Sequence, residues 1–567
     1  MEKRIQSILI SSDTPMREVL SVINRAVHAD PPAADGIALI VDDARVLQGI
    51  VTDGDIRRFL IAGGDLESPV AGAMNRKPFT LSSVLSADEM LVALLQETKR
   101  RSLPGTAFTK IVIVNEDGTV HDVVTFFELW RRTDVKTRTV GIVGLGYVGL
   151  TLALTFAEMG LRVVGVDVDE RVVGELHSGR AHFYERGLQE MLLKHLNKNF
   201  TVQRAFAGSE SDVYVVCVGT PVSGDTLVTA PLASSLAAVA RVLKRHDLVV
   251  LRSTVPAGTT REIGIPALEA GSGLTAGKDF FVAFAPERTV EGKAMEELRT
   301  LPQVVGGYDE ASRELAGKLF HLIAPVIVPV ASLEAAEMVK LLNNTYRDLV
   351  FSYANEIAML CHAYGLSAHE VIRAANHGYV RDPIPLPSPG VGGPCLTKDP
   401  YLLHITAAKK RVPMELSLKS RAIHRNTIDH LCGRVEQFLA GVAGRGERPE
   451  IFVAGLAFKG EPETSDLRGS SALEIIERLA PQYAVRVYDP VVKGEEIEIP
   501  GAMPVSFEEG FKGAHVALIL NNHRSFRAHA LKDLACGMAR PGLFFDAWYL
   551  YGRDRGTLPE GITYATL

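Results

Sequence analysis

Short apolar runs recur along this chain, and polar or glycine-rich segments separate them. In the first quarter, the runs Ile37–Val41 and Gln48–Val51 predict two strands, and the segment 52–58 predicts a strand end that enters a helix. A weaker copy follows, with a strand at Lys110–Val114 and a strand-to-helix segment at 123–128. A half-repeat of roughly sixty residues predicts two stacked modules that bury one shared core.

From Thr139 onward, apolar strands alternate with helices. Buried strands are predicted at 139–143, 162–166, 212–218, 247–252 and 281–284, and an apolar helix is predicted from Leu150 to Met159. The last three of these strands end in polar residues. This pattern is typical of a doubly wound parallel sheet, whose ligands bind beyond the carboxyl ends of the strands.

A long helical pattern runs from Leu333 to about His377, and a proline-rich loop at 382–389 follows it. The βαβ rhythm restarts at Pro449, with strands at 451–454, 485–488 and 516–520, a helix at 472–479, and a last strand at 543–546. We predict an α/β protein with two Rossmann-like doubly wound domains, joined by a long helical segment and preceded by an α+β module. The predicted domains are 1–135, 136–330, 331–435 and 436–567, and the polar stretch 133–139 is the predicted linker.

The composition is that of a soluble globular protein with several domains. The 567 residues are 47% hydrophobic and 23% charged, and the net charge of −6 predicts neither a nucleic-acid partner nor a membrane-surface partner. Five scattered cysteines form neither a disulfide framework nor a zinc-ligand pattern, and no signal sequence opens the chain, so a reducing cytoplasm is the predicted setting. The run Val140–Ala157 is uncharged and long enough for a bilayer, but its glycines predict a buried strand, a turn and a helix.

The glycine-rich turn after the strand at 139–143 indicates a dinucleotide site. Gly144, Gly146 and Gly149 form a GxGxxG pattern between a strand and a helix, and Asp167 follows the next strand about twenty residues on. The glycines allow a pyrophosphate to lie on the helix N-terminus, and the acid can bind the ribose hydroxyls of the adenosine. An acid at this position disfavours a 2′-phosphate, so the predicted cofactor is NAD.

The stretch 390–399 combines glycines, a lone cysteine and a Lys-Asp pair. Glycines let the backbone approach a ligand closely, and cations beside Cys395 favour the thiolate, which is the nucleophilic form. If a helix starts here, Asp399 shares a face with the cysteine. The stretch therefore predicts covalent catalysis together with a grip on the substrate. The alternative is a helix-entry turn that contains a buried free cysteine.

Three polar residues of the predicted long helix, Glu337, Lys340 and Asn344, share one helix face. A solvated charged face is one interpretation of this spacing. The pair Asn343-Asn344 inside an apolar helix instead indicates a polar wall that faces a ligand. Lys340 and Asn344 are therefore candidate site residues.

The first 135 residues resemble a tandem cystathionine-β-synthase (CBS) domain pair, and the segment 49–58 carries the resemblance. The resemblance implies that Thr52 and Asp55 contact the phosphate and ribose of an adenine nucleotide. We hypothesise that this nucleotide regulates the activity of the remainder of the chain. The second copy departs from the first, with Thr125 and Glu128 at the matching positions. The alternative is a structural or oligomerising module that binds no ligand.

The rest of the chain resembles the nucleotide-sugar 6-dehydrogenase family, which includes UDP-glucose, UDP-N-acetylhexosamine and GDP-mannose dehydrogenases. Seven motifs occur in the family's order: Gly144–Gly149, Gly219-Thr220-Pro221, Ser253-Thr254-Val255, Pro286-Glu287, Lys340 with Asn344, Gly392–Cys395 with Lys398-Asp399, and Gly455–Lys459. The resemblance implies an NAD-binding domain at 136–330, a helical dimerisation domain with the cysteine loop at 331–435, and a UDP-sugar-binding domain at 436–567.

The resemblance implies two successive oxidations of a sugar C6 alcohol to a carboxylate, with two NADH formed. Cys395 would trap the aldehyde as a thiohemiacetal and then carry the thioester that water cleaves. The implied catalytic residues are Cys395, Lys340, Asn344, Asp399, Glu287 and Thr254. Lys340 and Asn344 stabilise charged oxygens, and Thr254 contacts the water and the cofactor. Asp399 holds the water or acts as a base, and Glu287 assists thioester hydrolysis, so two acids with different pKa values are expected.

The resemblance also implies two sets of binding residues and an oligomer. The cofactor residues are Gly144, Gly146, Tyr147, Val148, Gly149, Asp167, Thr220, Pro221, Thr254, Lys398 and Arg468. The substrate residues are Glu287, Arg288, Lys340, Asn344, Arg381, Gly390, Gly392, Gly393 and Lys459. Arg381 is implied to reach the substrate of a neighbouring subunit, so a homodimer or higher homo-oligomer built on the long helix is expected. The segment between Lys459 and Arg468 is longer than in the UDP-glucose enzymes, which leaves the role of Arg468 open.

The identity of the sugar rests on the segment that follows Pro286. This segment resembles the UDP-N-acetyl-D-mannosamine and UDP-N-acetyl-D-glucosamine branch of the family, and the residues that carry the resemblance are Glu287-Arg288, Glu291-Gly292 and 302–306. UDP-glucose enzymes usually have an aromatic pair after the glutamate instead. The expected role is polysaccharide biosynthesis. The alternatives are a UDP-glucose 6-dehydrogenase, an inactive nucleotide sensor regulated by the CBS module, and a related hydroxyacid dehydrogenase that yields one NADH.

Overall fold

The computed structural model describes residues 5–27, 36–87, 89–90, 93–94, 97, 110–125, 128–129, 138–223, 226–442, 448–494, 497 and 499–567. The chain forms two compact units. The first contains Met1–Arg138, Lys244–Asp247 and Leu274–Phe281, and the second contains Thr139–Leu243, Leu248–Gly273 and Val282–Leu567. Most of the predicted linker, at 133–137, lies outside the described residues.

The first unit contains two small sheets with the same order of pairings. One has the strands Leu9–Ile10, Ile37–Val41 and Leu47–Thr52, and the other has Thr80–Ser82, Ile111–Val114 and Val120–Val124. In both, the first pair is parallel, the second pair is antiparallel, and the register shifts near the end of the middle strand. The helices Met16–Val27 and Asp53–Ile61 and the 3₁₀ turn Val70–Gly72 pack beside the first sheet. This repetition matches the predicted half-repeat, and the CBS identity remains a prediction.

The second unit begins with an eight-stranded sheet. Its strands lie side by side in the order Ile327–Val330, Gln303–Gly307, Phe281–Phe284, Leu248–Leu251, Val213–Val216, Thr139–Val143, Arg162–Val166 and Phe200–Gln203. The strands from Leu248–Leu251 to Phe200–Gln203 pair in parallel, whereas Phe281–Phe284 and Gln303–Gly307 are antiparallel. The five predicted strands are confirmed. Three others were missed because they carry a glycine pair, an internal proline or partly exposed polar residues.

The elements around this sheet are short. The helices are Tyr147–Glu158, Glu170–His177, Leu188–His195, Ala230–Ala240, Ile265–Ser272, Ala294–Thr300 and Glu310–Phe320, with a π-helical turn at Thr260–Gly264 and a hairpin of Val222–Ser223 and Thr226–Leu227. The helix predicted from Leu150 begins three residues earlier, at Tyr147. The apolar run Val140–Ala157 is therefore a strand, a turn and a helix, as predicted. None of the helices in the described part of the chain has the length and apolarity that a bilayer crossing needs.

The helical segment consists of four helices, Leu333–Ala363, Ala368–Asn376, Asp399–Lys409 and Leu416–Val442. We call Leu333–Ala363 the long helix and Leu416–Val442 the return helix, and the two pack against each other through apolar residues such as Ala358, Leu431 and Cys432. The continuous helical pattern predicted to about His377 is wrong. The long helix ends at Ala363 because Gly365 adopts a φ of 66°, which an α-helix does not permit.

A six-stranded parallel sheet completes the chain. Its order is Ala502–Pro504, Ala484–Tyr488, Glu450–Ala454, Val516–Ile519, Gly542–Asp546 and Ile562–Ala565. The helices are Ser471–Leu479, Phe507–Phe511 and Leu531–Cys536, with 3₁₀ turns at Arg524–Ala528 and Arg555–Thr557. The strand at 543–546 is not the last, because Ile562–Ala565 pairs with it at the sheet edge. Two α/β sheets joined by helices, the first mixed and the second parallel throughout, confirm the α/β prediction for the second unit.

Candidate active site

The glycine-rich turn has the backbone that a dinucleotide cradle requires. Gly144 adopts a φ of 89°, and a Cβ added at Gly149 would lie 1.7 Å from the carbonyl oxygen of Gly144. Neither position therefore accepts another residue. The helix Tyr147–Glu158 begins directly after Gly146 and has no side-chain cap among the described residues, which suits a pyrophosphate at its N-terminus.

Asp167 lies where the second strand of the sheet ends, next to the glycine turn. Its carboxylate accepts the backbone N–H of Leu145 at 2.7 Å and that of Asp169 at 2.9 Å. These bonds fix the carboxylate beside the turn. A carboxylate has about four acceptor positions, so two bonds leave capacity for ribose hydroxyls. The geometry therefore fits the predicted contact to an adenosine ribose.

A cavity of about 370 Å³ lies within the second unit. Its lining comes from four parts of the chain: Arg288, Thr289, Val290 and Glu291; Lys340, Asn344, Arg347 and Phe351 on the long helix; Ser388 and Gly390–Leu396; and Phe458, Lys459, Glu461, Pro462, Asn522 and Trp548. The cavity thus collects residues from both sheets and from the helical segment. A volume of this size accommodates a small-molecule ligand.

Cys395 is exposed to this cavity, on the turn that precedes the helix Asp399–Lys409. Its carbonyl oxygen accepts the backbone N–H groups of Lys398 at 3.1 Å and Asp399 at 2.8 Å, so the turn leads directly into the helix. The cavity walls remove bulk water, and this burial raises the pKa of the Cys395 thiol, whereas the charge of Lys340 opposes the rise. The cationic effect predicted from the sequence is present, but burial outweighs it. The turn does lead into a helix, but the Cys395 side chain is exposed to the cavity, so the alternative of a cysteine buried in the protein core is wrong.

Lys340 and Asn344 line the cavity on one face of the long helix, and each is only 7% exposed. Asn344 Nδ2 donates to Asp399 Oδ2 at 2.5 Å. Asp399 is fully buried, and its Oδ1 has no hydrogen-bond partner among the described residues, although Lys398 Nζ lies 3.8 Å away. The interpretation of this helix face as a solvated charged surface is therefore wrong. A buried carboxylate oxygen without a hydrogen-bond partner, beside a cation and an amide, can accept a proton or hold a water.

Glu337, one turn before Lys340, has a different task. Its carboxylate accepts the backbone N–H groups of Gly258 at 2.6 Å and Thr260 at 2.8 Å. These donors lie where the chain enters the helical turn Thr260–Gly264, so Glu337 caps that turn from the long helix. The shared helix face predicted from the sequence is buried, but only two of its three polar residues line the cavity.

Thr220, Thr254 and Lys398 form a chain of hydrogen bonds beside the cysteine turn. Lys398 Nζ donates to Thr220 Oγ1 at 2.9 Å, and Thr220 Oγ1 donates to the carbonyl oxygen of Thr254 at 2.5 Å. Thr220 and Thr254 follow the ends of two neighbouring strands of the eight-stranded sheet, and Pro221 lies exposed beside them. The turn is thereby tied to the sheet edge at which a dinucleotide binds.

Glu287 forms a buried ion pair with Arg252, a residue that sequence reasoning missed. Arg252 Nε lies 3.1 Å from Glu287 Oε2, and Nη2 donates to the same oxygen, while Oε1 accepts the backbone N–H groups of Arg288 and Thr289, each at 2.7 Å. Burial by itself would raise the pKa of Glu287, but Arg252 and these bonds outweigh it, so the pKa lies below its usual value. Glu287 does not line the cavity, whereas the neighbouring Arg288 does. Arg252 directly follows the strand Leu248–Leu251, and this position at a strand end was the only feature of the sequence that could have indicated its role.

The glycine loop, Gly390–Gly393, packs closely against the six-stranded sheet domain. Gly390 and Gly393 adopt φ values of 92° and 93°, and a Cβ at Gly392 would lie 2.5 Å from the carbonyl oxygen of Gly469. Lys459 Nζ donates to the carbonyl oxygen of Glu291 at 2.6 Å, and burial lowers the pKa of this lysine. These predicted substrate residues all line the cavity.

Arg381 is exposed and does not line the cavity of its own chain. Its guanidinium carbon lies 6.0 Å from the centre of the Tyr379 ring. The structure therefore separates this residue from the other predicted substrate residues. The expectation that it serves a neighbouring subunit remains a prediction.

Arg468 reaches the N-terminus of the first helix of the eight-stranded sheet. It binds Asp466 through Nε and Nη2, and its guanidinium carbon lies 5.4 Å from the centre of the Tyr147 ring. The Tyr147 ring also stacks on Phe183 at 3.9 Å. Glu291 lies 3.7 Å from Arg468, and burial together with the nearby Asp466 raises the pKa of Glu291. Arg468 and Tyr147 thus meet at the predicted cofactor site, and Val148, the next residue of the helix, is partly buried.

Thr52 and Asp55 in the first unit bind each other. Thr52 Oγ1 donates to Asp55 Oδ2 at 2.6 Å, and the two residues form a capping box at the start of the helix Asp53–Ile61. In the second copy, the backbone N–H of Thr125 donates to Glu128 and the backbone N–H of Glu128 donates to Thr125, at 2.8 and 3.0 Å. Helix capping therefore accounts for the repeated pattern without a ligand.

Several cavity residues were not predicted, among them the aromatic side chains Phe351, Phe458 and Trp548. Trp548 donates its indole N–H to the carbonyl oxygen of Leu520 at 2.9 Å, so its orientation is fixed. These residues are far apart in sequence and share no motif. In the described part of the chain, no group of three or more His, Cys, Asp or Glu side chains is arranged to hold a metal ion.

Three family models match the chain from residue 138 onward. They describe the NAD binding domain of the UDP-glucose/GDP-mannose dehydrogenase family at 138–324, its central domain at 334–426 and its UDP binding domain at 452–553. The matched ranges follow the eight-stranded sheet, the helical segment and the six-stranded sheet.

Curated relatives and solved structures are similar over the same part of the chain. A UDP-N-acetyl-D-mannosamine dehydrogenase from Pyrococcus horikoshii is 36% identical over 394 residues, which cover 69% of this chain and 90% of the relative. An NDP-N-acetyl-D-galactosaminuronic acid dehydrogenase from Ralstonia nicotianae is 31% identical and covers 70% of this chain and 93% of the relative. The structure of a UDP-D-ManNAc dehydrogenase from Pyrococcus horikoshii has a TM-score of 0.67 and 33% identity, covering 76% of this chain and 98% of that chain. This similarity extends to the Rossmann-like fold of the two sheets.

Proposed function

This chain belongs to the UDP-glucose/GDP-mannose dehydrogenase family and is an NAD-dependent nucleotide-sugar dehydrogenase, and we propose that it oxidises the C6 alcohol of a UDP-N-acetylhexosamine to the carboxylate. The proposed sugar is N-acetyl-D-mannosamine or N-acetyl-D-glucosamine. One observation carries the proposal: Cys395 faces a cavity that also contains Lys340 and Asn344, with Asp399 behind them. The names of the similar dehydrogenases support an N-acetylated sugar.

The glycine turn and Asp167 fit NAD, because a Cβ at Gly146 would meet no protein atom within 4 Å, so the space beside the turn is open, and Asp167 lies next to it. NAD supplies the acceptor for both hydrides. After the first oxidation, the Cys395 thiolate attacks the aldehyde carbon, and a C–S bond forms. The resulting alkoxide lies beside Lys340 and Asn344, whose charge and amide donor stabilise it.

Loss of the second hydride converts the thiohemiacetal to a thioester on Cys395. Water then attacks the thioester carbon, the C–S bond breaks, and the carboxylate leaves as the thiolate is restored. The sum is one alcohol, one water and two NAD⁺ giving one carboxylate, two NADH and the released protons. A thiol held at the cavity thus keeps the half-oxidised sugar bound between the two steps.

We assign the acid–base role in hydrolysis to Asp399. Its Oδ1 has no hydrogen-bond partner among the described residues, whereas Asn344 already occupies Oδ2. Glu287 is less suited to proton transfer, because Arg252 and two backbone N–H groups occupy both of its oxygens and lower its pKa. Its fixed negative charge instead interacts favourably with Lys340. The two acids expected from the sequence therefore receive different tasks.

The nucleotide half of the substrate is proposed to lie against the UDP binding domain and the glycine loop. Arg288 and Lys459 line the cavity and supply positive charge for a diphosphate. The aromatic wall formed by Phe351 and Trp548 suits a nucleobase, since bases stack on aromatic rings. Lys459 is already fixed by the carbonyl oxygen of Glu291, which reduces the entropy lost on binding.

A panel of UDP-sugars tests the proposed function. We expect two NADH per sugar and a uronic acid in the product mass spectrum with UDP-N-acetyl-D-mannosamine or UDP-N-acetyl-D-glucosamine. UDP-glucose serves as the control and should have the lower kcat/KM. A higher kcat/KM for UDP-glucose would overturn the substrate assignment, and one NADH per sugar would overturn the covalent mechanism.

We propose that the chain is a homodimer, or a higher homo-oligomer, that pairs through the long helix. The outer face of this helix carries a stripe of exposed apolar residues, Leu342, Tyr346, Tyr353 and Leu360, which are 50–67% exposed. Their spacings of four and seven residues place them on one side of the helix. A twofold dimer buries such a stripe against its own copy, and Arg381 is then free to serve the partner's cavity.

Charge placed in this stripe is expected to separate the subunits. Tyr353→Glu with Leu360→Glu should give a monomer in light scattering, because like charges would face each other across the twofold axis. Loss of the Arg381 contact should lower kcat/KM by about 10- to 100-fold, the usual effect of losing a charged hydrogen bond. Met503→Glu, on an equally exposed apolar residue of an edge strand, is the matched control. A dimer that persists in the double variant would contradict this interface.

We also propose that the first unit is a CBS module that regulates the enzyme by binding an adenine nucleotide at Thr52 and Asp55. The support is the sequence resemblance and the repeated pairing of the two small sheets. The capping box leaves one oxygen of Asp55 to Arg58, at 2.5 Å, and the Arg58 side chain is largely exposed whereas that of Asp55 is 19% exposed. A ribose hydroxyl can compete for this oxygen.

Titration calorimetry of the full chain with AMP, ADP and ATP is expected to show binding of at least one nucleotide. The bound nucleotide should change kcat or KM by about fivefold or more, the usual lower range of allosteric coupling. Asp55→Ala should abolish the heat, whereas Glu128→Ala, which removes the matching carboxylate acceptor for a threonine N–H in the second copy, should leave the heat intact. No heat with any nucleotide, together with unchanged kinetics after removal of residues 1–135, would dismiss the proposal.

We place the reaction in the cytoplasm and in the synthesis of polysaccharide precursors. A nucleophilic thiolate requires a reducing compartment, and the five cysteines are free. Fractionation of producing cells should recover the chain with cytoplasmic markers. Recovery in an oxidising compartment would contradict this placement.

A further inference from the structure

A buried polar cluster contacts the glycine loop and the residues just before it, and its side chains do not line the cavity. Asp348 and Asn355 come from the long helix, and Ser420, Arg421 and His424 come from the return helix. Asp348 and Asn355 are fully buried, His424 and Ser420 are 1% exposed, and the Arg421 side chain is 11% exposed. The mechanism proposed above uses none of these residues.

Asp348 is the centre of this cluster. Its Oδ1 lies 2.8 Å from Arg421 Nη1 and 3.2 Å from His424 Nε2, and its Oδ2 accepts the hydroxyl of Ser420. Burial by itself would raise the pKa of Asp348, but His424 and Arg421 outweigh it, so the pKa lies below its usual value. The return helix therefore holds a carboxylate of the long helix in a fixed, ionised state.

The cluster forms hydrogen bonds with two backbone groups of the segment that leads to Cys395. Arg421 Nη1 also donates to the carbonyl oxygen of Val391 at 3.2 Å. Asn355 Oδ1 accepts the backbone N–H of Ser388 at 2.8 Å, and its Nδ2 lies 3.4 Å from His424 Nδ1. Both Val391 and Ser388 line the cavity. Two side chains of one connected network thus hold the loop at two points before the cysteine.

Stability alone does not explain such a cluster. The long helix and the return helix already pack through apolar residues, including Ala358, Leu431 and Cys432. A buried ion pair is often no more stabilising than apolar residues of similar volume. The glycine loop requires stabilising contacts from outside the loop, because glycines at positive φ lose more conformational freedom on ordering than other residues. The contacts to Ser388 and Val391 meet that need.

We propose that Asp348, Asn355, Arg421 and His424 are positioning residues that fix the glycine loop and thereby the Cys395 thiol. This inference rests on the proposed function. A covalent step depends on near-contact distances between reacting atoms, and a displacement of about 1 Å can cost about 10²-fold in rate. The network acts through the backbone at Ser388 and Val391, not through contact with the substrate.

Two apolar variants test the two attachment points separately. Arg421→Met removes the donor to Val391, and Asn355→Leu removes the acceptor for Ser388. Each is expected to lower kcat by about 10- to 100-fold while the KM for NAD stays within about twofold. Arg421→Lys keeps a cation beside Asp348 and should restore part of kcat, which a loss of packing alone would not allow.

Leu431→Ala is the matched control, because Leu431 lies fully buried on the same return helix within the apolar core. It should lower the Tm and leave kcat unchanged. The opposite pattern, wild-type kcat with a lowered Tm in both Arg421→Met and Asn355→Leu, would overturn the proposal. If one of these variants does not fold, the other still tests its own attachment point.

A measurement without substrate separates this proposal from the proposed function. The rate of Cys395 alkylation by iodoacetamide, followed by peptide mass spectrometry because Cys536 is also exposed, reports the thiol directly. We expect Arg421→Met and Asn355→Leu to change the rate of Cys395 alkylation severalfold, or to shift the midpoint of its pH profile. Unchanged alkylation in both variants would refute the positioning role even if no UDP-sugar proves to be a substrate. Changed alkylation would support it in that case too.

Discussion

Cys395→Ala is expected to stop formation of the uronic acid, with a loss of more than about 10⁴-fold in the rate of acid production. Without the thiol no thiohemiacetal forms, so the aldehyde has no covalent route to the second hydride transfer. Lys340 and Asn344 would remain beside the aldehyde oxygen but would have no alkoxide to stabilise. Product mass spectrometry with NADH absorbance measures acid and hydride transfer separately.

The control for this variant is Cys536→Ala, because Cys536 is the other exposed cysteine among the five. It lies at the end of a short helix beside the six-stranded sheet and should retain wild-type acid formation. A Cys395→Ala enzyme that releases acid and two NADH at the wild-type rate would show that the sulfur is not the nucleophile. Asp399 would then have to activate a water that adds to the aldehyde, and the second hydride would leave from the hydrate that forms.

The sequence predicted that the candidate catalytic residues lie close together, because these residues are local in the chain. Cys395, Lys398 and Asp399 lie within one turn, and Lys340 and Asn344 lie one turn apart on one helix. Helical spacing therefore determined which side chains share a face before any tertiary contact was known. The glycine turn was equally visible, because its φ values and close approach leave no choice of residue.

The partners of these residues could not be predicted in the same way. Arg252 and Glu287 are 35 residues apart and meet only because two strands of the sheet end side by side. Trp548 reaches the cavity from a loop more than 150 residues after Cys395. No periodicity encodes such contacts, since they depend on how whole domains pack.

Some sequence patterns misled because local and tertiary causes look alike. The Thr52 and Asp55 pattern has two possible causes, a nucleotide contact and a capping box; the structure contains the capping box, and the nucleotide contact remains a prediction. The strand Ile562–Ala565 escaped notice because it is an edge strand with only one buried residue. The helical pattern looked continuous through Gly365 because the interruption is small. A single residue with positive φ ends the helix there, and the pattern of apolar residues does not reveal it.

Lys340→Met is expected to lower kcat by about 10²- to 10³-fold, the usual effect of removing one group that stabilises an oxyanion. Lys340 is only 7% exposed, and methionine keeps most of its buried aliphatic stem while it removes the charge. The charge of Lys340 lowers the pKa of Cys395 against the rise that burial causes. Its loss should therefore raise that pKa, so that a higher pH is needed to form the thiolate. Alkylation of Cys395 by iodoacetamide, measured from pH 6 to pH 10, should shift to higher pH.

Two lysines provide the comparison that makes this result specific. Lys398 also lowers the pKa of Cys395, but its effect is smaller than that of Lys340, so Lys398→Met should shift the alkylation profile less. Lys409 lies at the other end of the helix Asp399–Lys409, which Lys398 precedes, and it pairs with Glu262 at 2.9 Å. Lys409→Met should therefore leave the alkylation profile unchanged. Overlapping profiles for wild type and Lys340→Met would show that the cation does not act on the thiol. Its contribution to kcat would then have to come from the bound oxygen alone.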